Sequence, residues 1–259
     1  MKSSQRKEDL PFDSPAANAS NYFQPVDPEH IQFLVSLQHA LQLHYDIEPP
    51  YCISEFVCHS AQTETGSSNC KGTTPEMLVY REDGTNLDIS LFLNPSLLTG
   101  IDNNTCHKQW SGVIFDNGCI VLEGVSHFLY MIFNAHHDRQ VSLLDLEKQA
   151  EIDKFIFEAL NTDYRNSIEA LLDRLFCQIS YREDLSPALK QRYEQANDLA
   201  CKYCQWLSAN FVLRFDDREL TAELARIYRL NGTARQQHIN RVTQSLHSTD
   251  QDTARQNSA

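Results

Sequence analysis

Glu123 and His127 stand four residues apart, as do Glu147 and Glu151, and both pairs fall in segments whose apolar residues recur at helical spacing. Residues i and i+4 share one face of a helix, so each pair presents its two polar groups side by side. Three carboxylates and an imidazole brought together between helices are the donor set of a Zn, Mn or Fe site. Without a metal, the same crowding lifts a carboxylate pKa and provides a general base. Glu123, His127, Glu147 and Glu151 are therefore the candidate catalytic and metal-ligating residues. Ser126 and Tyr130 are expected to support them by hydrogen bonding, and Lys154 to balance charge. Asp153 sits apart, flanked on the helical wheel by Leu146 and Leu160, where a carboxylate is costly to bury without a partner. The Glu-x-x-x-His spacing differs from the Glu-x-x-His of di-iron bundles, and no His-Glu-x-x-His occurs.

Two helices must position this set. Over 119–137, apolar residues from Ile120 to Phe133 cover most of the wheel and leave one polar stripe of Glu123, Ser126, His127, Tyr130 and Asn134. The stripe has no Lys or Arg, unlike a solvated helix face, and a helix apolar nearly all round is normally buried. The second helix carries Glu147, Glu151, Lys154 and Glu158 on one stripe. The short connection His136–Gln140 makes the two antiparallel neighbours. If their stripes face each other the four candidates converge; if not, the second stripe is an ordinary solvated face with a Glu151–Lys154 pair.

Around these helices the chain reads as α+β, an N-terminal helix and β-hairpin region packed on a predominantly helical C-terminal bundle. A helix is expected from Pro28 to about Tyr45, and strands over Met77–Tyr80 and Leu87–Leu93, joined by an Asp83-Gly84 turn. Helices follow near 116–136, 142–160, 164–179, 186–213, 217–230 and 233–246. Ser142 and Asp145 resemble a capping box, and Thr233 is the expected cap of the last helix. Polar, Pro-punctuated residues 1–27 and the Ser/Thr/Gln-rich stretch 244–259 read as disordered ends of a single domain, 28–243, with a mixed part at 28–112 and a helical part at 113–243.

Composition narrows the function classes. The chain has 259 residues and a net charge of −13, an acidity that repels nucleic-acid phosphates. No apolar leader opens the sequence and the longest apolar run, Phe128–Phe133, is far short of a membrane span, so a soluble cytoplasmic protein is expected, away from membranes. The 8 cysteines are then expected as reduced thiols or metal ligands. Cys201-x-x-Cys204 lies in a helical pattern without a second half-motif and reads as buried thiols. Cys52, Cys58-His59, Cys70, Cys106-His107 and Cys119 match no zinc spacing. A P-loop, Gly-x-Gly-x-x-Gly and Gly-x-Ser-x-Gly are all absent. Arg226, Arg229, Arg235 and Arg241 form a basic C-terminal region opposite the acidic 142–173 stretch. Two function classes remain. The favoured one is a non-enzymatic binding or accessory protein working through contacts with another protein or a second copy. The other is a metal-dependent or acid/base enzyme with its site between the 116–136 and 142–160 helices.

Overall fold

A computed structural model describes residues 26–58, 75–83, 86–100, 112–161, 167–181, 183–214 and 216–256. Helix α1 (Pro28–Tyr45) opens with Pro at its first turn and Asp27 as cap, whose carboxylate accepts the Glu29 N–H at 2.9 Å. Its core face is Phe33, Leu34, Leu37, Leu41 and Tyr45. Buried Gln38 donates to the Tyr51 carbonyl and accepts the Ile53 N–H, both at 2.8 Å, which pins the chain after the helix to its side.

Three strands follow: β1 (Val57–Cys58), β2 (Glu76–Asp83) and β3 (Asn86–Leu93). The β2–β3 pair is antiparallel from Glu76↔Leu93 to Asp83↔Asn86, the hairpin expected from the sequence. The two-residue β1 runs parallel to β3 with Val57 opposite Leu91, an added strand too short to show a period of its own. Turn residue Gly84 lies outside the described residues, as do His59, Cys70, Cys106 and His107 of the cysteine group and 1–25 of the expected disordered lead-in.

The helical part is α2 (Gly112–His136), α3 (Leu143–Asn161), the short α4 (Ile168–Leu172) continuing into a π turn at Asp173–Cys177, α5 (Pro187–Asn210), α6 (Asp217–Arg229) and α7 (Gly232–Gln256). Ser142 caps α3 by accepting the Asp145 N–H at 3.1 Å, as its spacing with Asp145 implied. The cap of α7 is Asn231 rather than Thr233: its side chain accepts the Ala234 N–H at 3.1 Å, so the helix begins one residue early. It also continues to Gln256, past the expected end near 246.

Helix α2 runs through the middle, packed on α3, α1 and the sheet. By length and composition, Ile114–His136 is apolar enough to cross a membrane, yet 78% of its most apolar window is buried inside the fold. Val121, Leu122, Val125, Phe128 and Leu129 have no exposure, because the helix has neighbours on every side. Tyr228 of α6 closes the core against Tyr45, Tyr130 and Phe133, at ring-centroid distances of 4.3, 5.2 and 5.1 Å.

Candidate metal centre

The polar stripes of α2 and α3 do face each other. His127 lies with Nε2 3.5 Å from Glu147 Oε2, and Lys154 Nζ sits 2.8 Å from both Glu123 Oε2 and Glu151 Oε1. The α3 stripe is not a solvated face. Glu158 has no exposure, and Glu147 and Lys154 are each 9% exposed, because α5 packs along that side of α3.

Two members of the cluster escaped the sequence reading. Glu76, the first residue of β2, brings Oε1 to 3.6 Å from His127 Nδ1, and Arg192 of α5 approaches Glu147 at 3.4 Å. Gly124 explains how Glu76 arrives. A Cβ on Gly124 would stand 2.9 Å from Glu76 Cγ and 3.1 Å from Leu91 Cδ1, so the missing side chain lets the sheet approach α2 beside Glu123. A glycine inside an otherwise apolar helix is the one signal that could have announced a close approach there.

Ligand atoms of Glu76, Glu123 and His127 all lie within 4.8 Å of one another. The 3.5 and 3.6 Å separations around His127 exceed hydrogen-bond length. Glu76 Oε1 and His127 Nε2 are accordingly buried atoms without a hydrogen-bond partner. The carboxylates of Glu76, Glu123, Glu147 and Glu151 line a pocket of about 530 Å³, walled by Ile120, Leu189, Tyr181 and Tyr193. His127 stands behind them.

Electrostatics follow from crowding and burial. Burial pushes the Glu76 carboxyl up against the opposing pull of His127. Burial also raises Glu123, but Lys154 and His127 outweigh it and hold the group below its usual range. Glu151 is raised by burial and by the neighbouring carboxylates in spite of Lys154. For His127 burial acts downward, and Glu147, Glu76 and Glu123 overcome it, lifting the imidazole to about 10. At the pocket wall, burial and then the Glu147 and Glu123 charges raise the Tyr193 hydroxyl to about 12.

The supporting residues divide. Lys154 belongs to the cluster. Ser126 and Asp153 belong to a separate buried network, in which Ser126 donates to Asp153 at 2.5 Å, Gln149 donates to it at 2.7 Å, and the Tyr45 hydroxyl donates to it as well. Arg235, fully buried, donates to Gln149 and lies over the Tyr130 ring at 5.0 Å. Tyr130 and Ser126 thus hold the core together instead of hydrogen-bonding to His127, the role expected of them. Two of the C-terminal arginines bond within the chain while staying exposed: Arg226 pairs with Glu223, which lies 2.6 Å from His238, and Arg229 donates to the Tyr45 and Asp46 carbonyls. Cys204 is buried and Cys201 half-buried, both free thiols.

The chain matches no known protein family, no curated protein and no solved structure.

Proposed function

We propose that this protein is a metal-dependent acid/base enzyme, with one divalent cation held by Glu76, Glu123 and His127 at the floor of the pocket. The observation that carries this is the set of three ligand atoms within 4.8 Å, two of them on side chains with buried atoms that lack hydrogen-bond partners. Four carboxylates face two fixed cations, Lys154 and Arg192, leaving a deficit of two positive charges. A protonated His127 supplies one; a divalent cation beside a neutral His127 supplies both. An uncompensated buried charge is costly, so the cluster must take up either protons, on His127 and on the raised Glu76 carboxyl, or a cation. A donor set dominated by carboxylates, with one imidazole, suits Mn or Fe as well as Zn.

In this reading His127 offers the cation Nδ1, the nitrogen facing Glu76, and Nε2 stands 3.5 Å from Glu147, a carboxylate that would take its N–H once the ring settles on the metal. The cation would supply Lewis acidity toward a substrate in the pocket. Glu151 lines that pocket with a raised pKa, which makes it the group suited to take up and return a proton.

The test is the metal content of untagged protein by plasma mass spectrometry, beside Glu76→Gln and His127→Gln. About one equivalent of Mn, Fe or Zn in the wild type, lost in both variants while they stay folded, is the expected result. Folded wild type that takes up no metal after incubation with each of the three ions refutes it.

The accessory-protein reading keeps one observation in its favour. Among the described residues β2 is an outer strand, with Val79 and Tyr80 51% and 45% exposed, and its free backbone edge is where another protein's strand would pair. The basic region gives it less support, since Arg226, Arg229 and Arg235 are engaged within the chain.

A further inference from the structure

The cluster contains a second place for a cation, and it is filled by the protein itself. Lys154 Nζ lies 2.8 Å from Glu123 Oε2 and 2.8 Å from Glu151 Oε1, between carboxylates contributed by two different helices. Glu123 therefore faces two ways, toward the Glu76–His127 group and toward the ammonium. A carboxylate shared between two positive centres, with a further carboxylate beyond each, is the layout of a two-metal site in a helical bundle. The lysine side chain is 11% exposed, and its attachment to α3 places it beside Glu151 with i, i+3 geometry, so its ammonium fills the space between the two carboxylates.

We infer that Lys154 is the covalent stand-in for the second divalent cation of a carboxylate-bridged pair, which makes this centre mononuclear by construction. The inference rests on the metal reading of the Glu76–Glu123–His127 group for the first cation, and on the Lys154 contacts alone for the second. Its chemical consequence is a bridging ligand, Glu123, whose charge is shared with a fixed ammonium. That weakens its donation to the resident metal compared with a carboxylate serving one cation. It also assigns Lys154 as a positioning residue: the ammonium holds Glu123 and Glu151 in place and does not itself meet the substrate.

Shortening the side chain empties the second position and leaves two carboxylates around it. Lys154→Ala is expected to bind two Mn ions per chain where the wild type binds one, measured on apo-protein incubated with Mn²⁺ and desalted. Lys154→Met, which fills the space without a charge, is expected to remain at one. The double variant Glu151→Gln/Lys154→Ala is expected to return to one, because a ligand of the new ion has gone while Glu76, Glu123 and His127 are intact.

The outcomes separate the two claims. Two Mn ions in the wild type, or a folded Lys154→Ala that binds no more than the wild type, overturns the stand-in role. So does a Lys154→Ala protein that fails to fold with and without Mn²⁺, since a cation should then replace the missing ammonium. Zero in the wild type with one in Lys154→Ala keeps the stand-in role and removes the resident metal. Zero in both removes both.

Discussion

Asp153 gives the sharpest test of how the buried polar network beneath the cluster works. Its carboxylate accepts from Tyr45 and Gln149 on one oxygen and from Ser126 on the other. Asp153→Ala strips the acceptor from three donors. Gln149 already lies 2.9 Å from the Tyr45 hydroxyl and keeps that contact, so about two full penalties remain. At ~1–3 kcal/mol for each buried unsatisfied group, the loss should be roughly 3–5 kcal/mol. Asp153→Asn keeps the oxygen facing Tyr45 and Gln149, and Ser126 can turn its hydroxyl to accept from the new amide; its cost should stay below about 1.5 kcal/mol at neutral pH. The two variants differ in pH dependence as well. Burial lifts the Asp153 carboxyl from 3.8 to about 6 in spite of the donors from Ser126, Tyr45 and Gln149. The folded state therefore binds the proton more tightly than the unfolded state. This contribution is fully present below 3.8, falls as pH rises through about 6, and is constant above. Two units correspond to ~3 kcal/mol, and Asn, which does not titrate, lacks the slope. Urea unfolding at intervals from pH 4.5 to 7 should show the wild type losing its advantage over Asp153→Asn by roughly 2 kcal/mol across the range. An Asp153→Ala variant within about 1 kcal/mol of wild type, or an Asn difference independent of pH, would refute the network as described.

Other expectations concern single positions. Gly124→Ala should leave the melting temperature nearly unchanged, since Ala favours a helix by about 1 kcal/mol over Gly, yet cut metal content by half or more, because the added Cβ displaces Glu76. Arg235→Ala should destabilise by about 3–5 kcal/mol in a denaturant titration, by leaving Gln149 and the Asp153 charge without their buried partner. Glu158 is raised by burial to about 8, so the stability it gives is full below 4.5 and lost as pH rises through 8; Glu158→Gln should unfold at higher urea than wild type at pH 9 and show little difference at pH 4.5. The exposed Arg81–Asp88 pair, 2.8 Å apart on the hairpin, should be worth less than ~1 kcal/mol, so Asp88→Asn serves as a near-silent control in the same denaturation series.

The local physics of helices and turns was legible from the residues alone. Period 3.6 located α1, α2, α3, α5 and α6 within a few residues, Ser142 announced the start of α3, and the absence of Lys and Arg from the α2 stripe marked it as buried. Pairing of Glu123 with His127 and of Glu147 with Glu151 followed from the same geometry, since residues four apart on a helix share a face whatever surrounds them. Tertiary structure decided the rest. Glu76 entered the cluster from the hairpin because Gly124 let a strand close on α2, an approach between segments far apart in the chain that leaves no period in either. Arg192 and the burial of the α3 stripe depended on α5 lying along α3, and the packing of α2 on α3 turned an ordinary Glu151–Lys154 pair into a bridge to Glu123. Ser126 and Tyr130 went to the core network because Asp153 and Arg235 reached them from α3 and α7. A sequence specifies which groups a helix face offers; which neighbour meets that face is set by packing between distant segments.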